Sequence, residues 1–300
     1  MSPETAAVNI EERELHLSNL DKVLYPATGF TKGEMLDYYA RVAPAMLPHI
    51  RGRPVTVKRF PDGVTTSGFI EKNVPRQAPA WIRTAVLPRK AAGRDTTELA
   101  VLDGVAGLVW FANLAAVEFH TPMWRVDEQS RPVAPDLIVF DLDPGAPASI
   151  VECCEVAPLL RSRLGEDGIE LLPKTSGSKG LQLYGSIAGR HWDGLQVNEY
   201  AHGVAQAIER AAPDAVVSRM AKTLRQGKVL IDWSQNNPAK TTVSPYSLRA
   251  LERPSVSTPV TWREVGACAR HGDGERLRFG PDEVLARVER LGDLFSPLLR

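Results

Sequence analysis

Three acidic residues carry the first chemical suggestion in this chain. Asp141 and Asp143 close an apolar run, "LIVFDLDPG" (137–145), and Asp232 closes another, "KVLIDWSQ" (228–235). Side chains alternate between the faces of a strand, so Asp141 and Asp143 point one way and Leu142 the other. Two carboxylates one repeat apart repel each other unless something positive lies between them. Pro144 and Gly145 then stop the strand, leaving the pair at its carboxyl end, where open sheets tend to carry their sites. Between the two acidic strands lies "TSGSKG" (175–180), a glycine turn able to aim backbone N–H groups and Lys179 at phosphate oxygens. It is not a Walker A loop, because the GxxxxGK[ST] spacing is missing and a strand is expected to follow. Carboxylates that hold two divalent ions, with positive groups for a triphosphate, are what in-line phosphoryl or nucleotidyl transfer requires. On that reading Asp141 and Asp143 bridge both ions, and Asp232 holds the ion that activates the attacking hydroxyl. Taken alone, the same residues read equally well as solvated strand ends and a surface turn.

The elements around these motifs follow from periodicity. The first 13 residues are polar and acidic and read as a flexible tail. Residues 14–47 predict a short strand, a loop containing Lys22, and a helix opened by a Thr31/Glu34 capping box, with Met35, Tyr39, Val42 and Met46 on one face. "RPVTVKRFPDG" (53–63) alternates as a strand does, and 67–90 reads as irregular. "GVAGLVWFANLAAVEF" (104–119) reads as a buried helix, too short for a membrane span, and "VEFHTPMWRV" (117–126) as a strand candidate. A Ser149/Glu152 capping box starts a helix to about Leu164. Residues 170–187 read as strand, glycine turn, strand, roughly 196–212 as a helix ending before Pro213, and a final helix follows Pro281. Strands and helices mix without strict βαβ alternation, which points to an α+β fold with largely antiparallel sheets.

Composition sets the outer bounds. With 36 basic and 36 acidic side chains the formal net charge is zero, which argues against nucleic-acid binding by bulk charge and leaves room for a locally basic groove. Cys153, Cys154 and Cys268 show no CxxC spacing and read as buried thiols in a reducing compartment. The six histidines show no ligand spacing for zinc. No signal peptide or membrane segment is evident, so a soluble, intracellular protein is expected.

Together, "VFDLDPG", "TSGSKGLQLY", "KVLIDWSQNNPAKTTVSPYSLRA" and the earlier "LDKVLYPATGFTK" resemble the polymerase domain of bacterial ligase D, of the archaeo-eukaryotic primase superfamily, which serves non-homologous end joining. The resemblance runs from about residue 14 to the C-terminal helix. It implies one primase-polymerase domain over 14–300, with an N-terminal α/β portion (about 14–115) and a primase-like catalytic portion (about 116–300). It implies that Asp141, Asp143 and Asp232 are the metal-binding triad for two Mn²⁺ or Mg²⁺ ions. Ser176, Lys179 and Arg249 then fall on the triphosphate, with Lys58, His120 and Gln235 near the incoming NTP or dNTP. Lys22 and Lys32 match a pair that grips the 5′-phosphate at a gap or break. Phe69 lies where the family stacks aromatics on a template base, although Ile70 stands where a second aromatic is common; such stacking contributes about 1–3 kcal/mol per base. Arg225, in a basic loop before the third acid, could steer the primer terminus.

One departure stands out: Gln182 occupies the position of a histidine that contacts nucleotide phosphates in the family. A glutamine amide donates a hydrogen bond without carrying a proton's charge, so weaker triphosphate stabilisation is expected. The resemblance implies gap filling and short extension of DNA ends in the bacterial cytoplasm, at the nucleoid, alongside partners such as Ku and a DNA ligase. No ligase lysine motif or nuclease histidine cluster is evident, so a stand-alone protein and a fragment of a larger ligase both fit. Two other functions remain open on sequence alone: a non-catalytic module binding 5′-phosphorylated ends through Lys22 and Lys32, and a metal-dependent D-x-D glycosyltransferase, against which Asp232 and the glycine turn speak.

Overall fold

The computed structural model describes residues 5–88 and 96–300. Two β-hairpins come first. Strand β1 (Thr5–Ile10) pairs antiparallel with β2 (Arg13–Ser18), and β3 (Val23–Tyr25) with β4 (Phe30–Thr31). The expected flexible tail is therefore a strand from Thr5 onward; the alternation of Val8 and Ile10 with polar residues lets both pack on the first core. Helix α1 (Lys32–Ile50) starts at the expected capping box, with both reciprocal Thr31–Glu34 bonds formed.

The first large sheet gathers β5 (Pro54–Arg59), β6 (Phe69–Glu71), β7 (Arg83–Pro88), β8 (Thr96–Val101), β9 (Ala116–Thr121) and β15 (Thr242–Val243). Its order is β15-β9-β5-β8-β7, with β6 also on β5. Two segments differ from the sequence reading here. The stretch 67–90 holds β6 and β7, and its last two residues lie outside the described residues. The apolar run expected to be one helix over 104–119 is α2 (Val105–Asn113) followed by β9, the chain reversing through Ala115 at φ 60°. Asn113, the last residue of the helix, ties it to β2: its side-chain amide accepts from the Ser18 N–H at 3.1 Å and donates to the His16 carbonyl at 3.0 Å. Strand β9 itself stops at Thr121, before Pro122, whose ring has no N–H for a ladder.

The second sheet contains β10 (Leu137–Pro144), β11 (Leu171–Thr175), β12 (Leu181–Ser186), β13 (Val216–Val217) and β14 (Val229–Asp232), in the order β11-β12-β10-β14-β13. All its pairings are antiparallel except β13 with β14, so the α+β, largely antiparallel expectation holds. Helices α3 (Ile150–Glu166) and α4 (Gly194–Ala211) pack on it, α4 burying Val197, Ala201, Val204, Ala205 and Ile208. A short pair, β16 (Leu248–Arg249) and β17 (Ser255–Val256), precedes α5 (Trp262–His271) and α6 (Pro281–Leu291). Helix α5 is not predicted by the sequence reading, although Thr261 and Glu264 form a further capping box.

Two main cores result, one on each sheet, but they do not divide at residue 115. Strand β9 belongs to the first sheet, and Tyr246, Leu248, Val256 and Val284 from the C-terminal part join the first core. The hydroxyls of α1 hold that returning segment: Tyr38 donates to the Tyr246 carbonyl at 2.7 Å, while Tyr39 donates to Val117 and accepts from the Leu248 N–H. Buried phenols need such partners. Here they tie β9 and β16 to one helix, and both strands carry site residues.

Candidate active site

The second sheet places a row of side chains directly opposite one another. Asp141 on β10 faces Asp232 on β14 and Gln182 on β12, and Gln182 in turn faces Lys174 on β11. Direct partners in an antiparallel ladder share a face and lie about 4.5–5.5 Å apart at Cα. The two acidic strands, 91 residues apart at these positions, are thus neighbours, and Asp143 follows on the same face one repeat along β10. Asparagine 236 clamps this arrangement: Asn236 accepts from the Val139 N–H at 2.9 Å and donates to the Val139 carbonyl at 2.7 Å.

These side chains line a cavity of about 380 Å³ between the two sheets. The second sheet contributes Asp141, Asp143, Gln182 and Asp232; the first contributes His120, Thr242 and Val243; the 176–180 turn and Arg249 close one side. The turn is built by its own serine. Ser176 Oγ accepts from the Ser178 N–H at 3.2 Å and the Gly180 N–H at 3.1 Å. Gly180 is required where it stands, since a Cβ there would lie 2.2 Å from the Leu142 carbonyl oxygen. The Asp143–Pro144–Gly145 end of β10 is equally tight: a Cβ on Gly145 would lie 1.9 Å from the Arg225 carbonyl oxygen. That closeness brings Arg225 into the site, where its guanidinium pairs with Asp143 at 3.3 Å; Lys179 pairs with the same carboxylate at 3.2 Å.

The electrostatics match a cation-binding face. Burial, and then the like charges of Asp232 and Asp143, push the Asp141 carboxyl up to about 6, against the pull of Gln182 and Lys174. Asp232 accepts from the Ser234 N–H at 3.0 Å and from the Gln235 amide at 2.9 Å. Among the described residues, no three acidic, histidine or cysteine side chains already form a closed metal cage; Asp143 is turned toward Lys179 and Arg225. The donor set nevertheless suits hard divalent cations: oxygen ligands only, with a part-buried carboxyl whose charge a cation would offset.

Glu118, which sequence reasoning passed over, organises the other wall. It is 4% exposed and sits 2.9 Å from His120 Nε2 and 3.4 Å from Arg249 Nε, accepting also from the Ala250 N–H at 3.0 Å. Burial raises its carboxyl, but His120, Arg249 and the backbone N–H outweigh that and hold it at about 2. Arg249 also donates to the Ser176 carbonyl, linking this wall to the turn. The signal was in the sequence: Glu118 and His120 are two apart in a strand and so share a face.

The remaining expected residues fall in different places. Lys58 lies on the face of β5 that carries Glu118 and His120 on β9, its ammonium 4.9 Å over the Phe60 ring, outside the cavity lining. Lys22 and Lys32 are brought together by the β3–β4 hairpin, the Lys32 N–H donating to the Lys22 carbonyl at 2.8 Å. Lys22 is half exposed with an ion pair to Asp62, while Lys32 is buried and donates to the Ser18 carbonyl. Burial, then repulsion from Lys22, pulls the Lys32 ammonium down to about 8. Phe69 and Ile70 are both exposed on β6, with the Arg59 guanidinium 5.2 Å from the Phe69 ring centre. Gln182 departs from expectation. It is 3% exposed, its carbonyl oxygen takes the Lys174 ammonium at 2.6 Å, and it stands in direct register with Asp141.

A family model described as LigD, primase-polymerase domain, matches residues 31–295. The chain belongs to the LigD primase-polymerase domain family. It is 44% identical over 284 residues to the multifunctional non-homologous end joining protein LigD of Mycolicibacterium smegmatis, covering 95% of this chain and 36% of that protein. The bifunctional LigD of Bacillus subtilis is 28% identical over 287 residues, covering 96% of this chain and 44% of that protein. The chain therefore spans less than half the length of the curated LigD relatives it matches. Among solved structures, the polymerase domain of Mycobacterium tuberculosis ligase D in complex with DNA superposes with a TM-score of 0.88 at 42% identity, covering 95% of this chain and 98% of that one. Among the described residues, no helix of this LigD-type domain is long and apolar enough to cross a membrane.

Proposed function

We propose that this domain is a template-directed nucleotidyltransferase that fills gaps and extends ends during non-homologous end joining of DNA. The observation that carries the reading is the register of β10 against β14, which sets Asp232 opposite Asp141 and beside a phosphate-type turn. Asp141, Asp143 and Asp232 would hold two divalent ions, Mn²⁺ or Mg²⁺. Bound there, such ions activate a primer 3′-hydroxyl and neutralise the departing pyrophosphate.

The chain's own residues then divide the work. Lys179 and Arg225, both paired with Asp143, supply positive charge at the edge of the cavity where a triphosphate and a primer end would meet. Arg249, Ser176 and Lys179 receive the triphosphate, with Glu118 fixing both Arg249 and His120. Gln235 holds Asp232 in place and borders the nucleotide site. Lys58 reaches the nucleotide only if its stem leaves the Phe60 ring. Lys22 and Lys32 take the 5′-phosphate of a gap or break, and exposed Phe69 stacks on a template base. Ku and a DNA ligase fit as partners, because the matched relatives are end-joining proteins, and the bacterial cytoplasm as the place of work.

The test is extension of a labelled primer across a short 5′-phosphorylated gap, with Mn²⁺ or Mg²⁺ and with NTPs or dNTPs. Template-dependent products are expected from the wild type and none from Asp141→Ala/Asp143→Ala. A wild type that binds the gapped DNA yet extends nothing with either metal overturns the polymerase reading.

A further inference from the structure

Lys174 is 0% exposed, and nothing in the proposed chemistry uses it. It lies in the strand "LLPKT", one cation among apolar neighbours, with the Tyr184 ring centre 5.4 Å from its nitrogen. A buried ammonium is costly unless it is fully hydrogen-bonded. Its partners are two: Gln182 Oε1 at 2.6 Å and Ser257 Oγ at 2.5 Å.

The directions of these bonds are set by chemistry. Ser257 donates its own proton to the Thr175 carbonyl at 2.8 Å, so its oxygen must accept from Lys174. Gln182 must present its carbonyl oxygen to the lysine, which leaves its NH₂ group on the opposite side. On that side, in direct register, stands Asp141, whose carboxyl the Gln182 side chain pulls down. The row Lys174–Gln182–Asp141 is therefore arranged donor to acceptor across three strands, with Asp232 beyond it as a second carboxylate.

We propose that Lys174 is a positioning residue: by occupying the Gln182 carbonyl, it commits the Gln182 amide N–H to Asp141 and withdraws it from the nucleotide phosphates. Gln182 then supports the metal-holding carboxylate. The lysine's nitrogen carries an N–H to give whether charged or neutral, so the device does not depend on its ionisation. Groups that orient a metal ligand from behind typically change metal affinity 10–100-fold when removed.

This inference rests on the two-metal polymerase reading, and the experiment separates the two. Mn²⁺ binding to the protein alone is followed by the loss of the free-ion EPR signal, alongside primer-extension kinetics. Lys174→Met, similar in length and without a donor, is expected to weaken Mn²⁺ binding about tenfold and to raise the half-saturating Mn²⁺ for extension by the same factor. The nucleotide KM at saturating Mn²⁺ should move less than twofold. Gln182→Met, which keeps Lys174, should reproduce that pattern, and the double variant should add nothing further. If Lys174→Met does not fold, Gln182→Met decides alone.

Unchanged Mn²⁺ binding in the folded variants overturns the proposal, as does a Gln182→Met enzyme whose nucleotide KM rises while its Mn²⁺ affinity stays put. A merely structural lysine would lower the melting temperature and leave the metal-against-nucleotide split untouched. A wild type that neither binds Mn²⁺ nor extends primers takes down the polymerase reading and this inference together. A competent wild type with unaltered variants removes only the role of Lys174.

Discussion

Replacing Glu118 by glutamine removes one negative charge from a site where three donors converge. The carboxyl is held at about 2 instead of 4.5 because His120, Arg249 and the Ala250 N–H outweigh the cost of burial. That difference corresponds to about 3 kcal/mol favouring the ionised form in the folded state. A depressed carboxyl stabilises the fold fully above its unfolded value and loses that contribution as pH falls toward the folded one. Glu118→Gln should therefore lower stability by about 3 kcal/mol at pH 7, or about 5 °C in melting temperature for a chain of this length. The gap between variant and wild type should shrink to less than about half by pH 3. The same change loosens Arg249 and His120, so the nucleotide KM should rise roughly tenfold or more, in line with loss of a charge-assisted hydrogen bond. Urea unfolding at pH 7 and at pH 3, paired with single-nucleotide gap filling at pH 7.5, reads both effects. A variant as stable as the wild type at pH 7, or a gap of equal size at pH 3, would refute the reasoning.

Three further outcomes follow from the same geometry. In chelator, Asp141→Asn should raise the melting temperature by roughly 3–5 °C at pH 7.5 and by almost nothing near pH 4, since a raised carboxyl penalises the fold only above its unfolded pKa; differential scanning fluorimetry showing no rise at pH 7.5 removes the like-charge account. Because Lys32 is pulled down to about 8, affinity for 5′-phosphorylated gapped DNA should weaken up to about tenfold from pH 8 to pH 9, with 5′-hydroxyl DNA unaffected, as fluorescence anisotropy would report. Gly145→Ala should destabilise by more than about 2 kcal/mol and abolish extension, because the added carbon collides with the Arg225 carbonyl; a variant that melts with the wild type and extends primers contradicts that contact.

Much of the site was legible because its signals are local. Alternation alone put Asp141 and Asp143 on one face, the capping boxes at Thr31 and Ser149 marked two helix starts, and the Gly/Ser/Lys turn stands between two strands as read. Other local signals were present and went unread: Thr261/Glu264 before α5, and the Glu118/His120 spacing on β9. The apolar run at 104–119 was misread as one helix because apolar composition does not separate a buried helix from a buried strand.

What the chain's order of residues determined by itself is where the acid-tipped strands β10 and β14 lie, which face their acids share, and which side chains could do chemistry. What only the tertiary structure decided is register and direction: that β10 lies between β12 and β14, that Arg225 turns inward to Asp143, and that Gln182 turns its carbonyl to Lys174 while standing opposite Asp141. The physical reason is that strand pairing and hydrogen-bond direction depend on partners tens of residues away, and no periodicity within one segment encodes them.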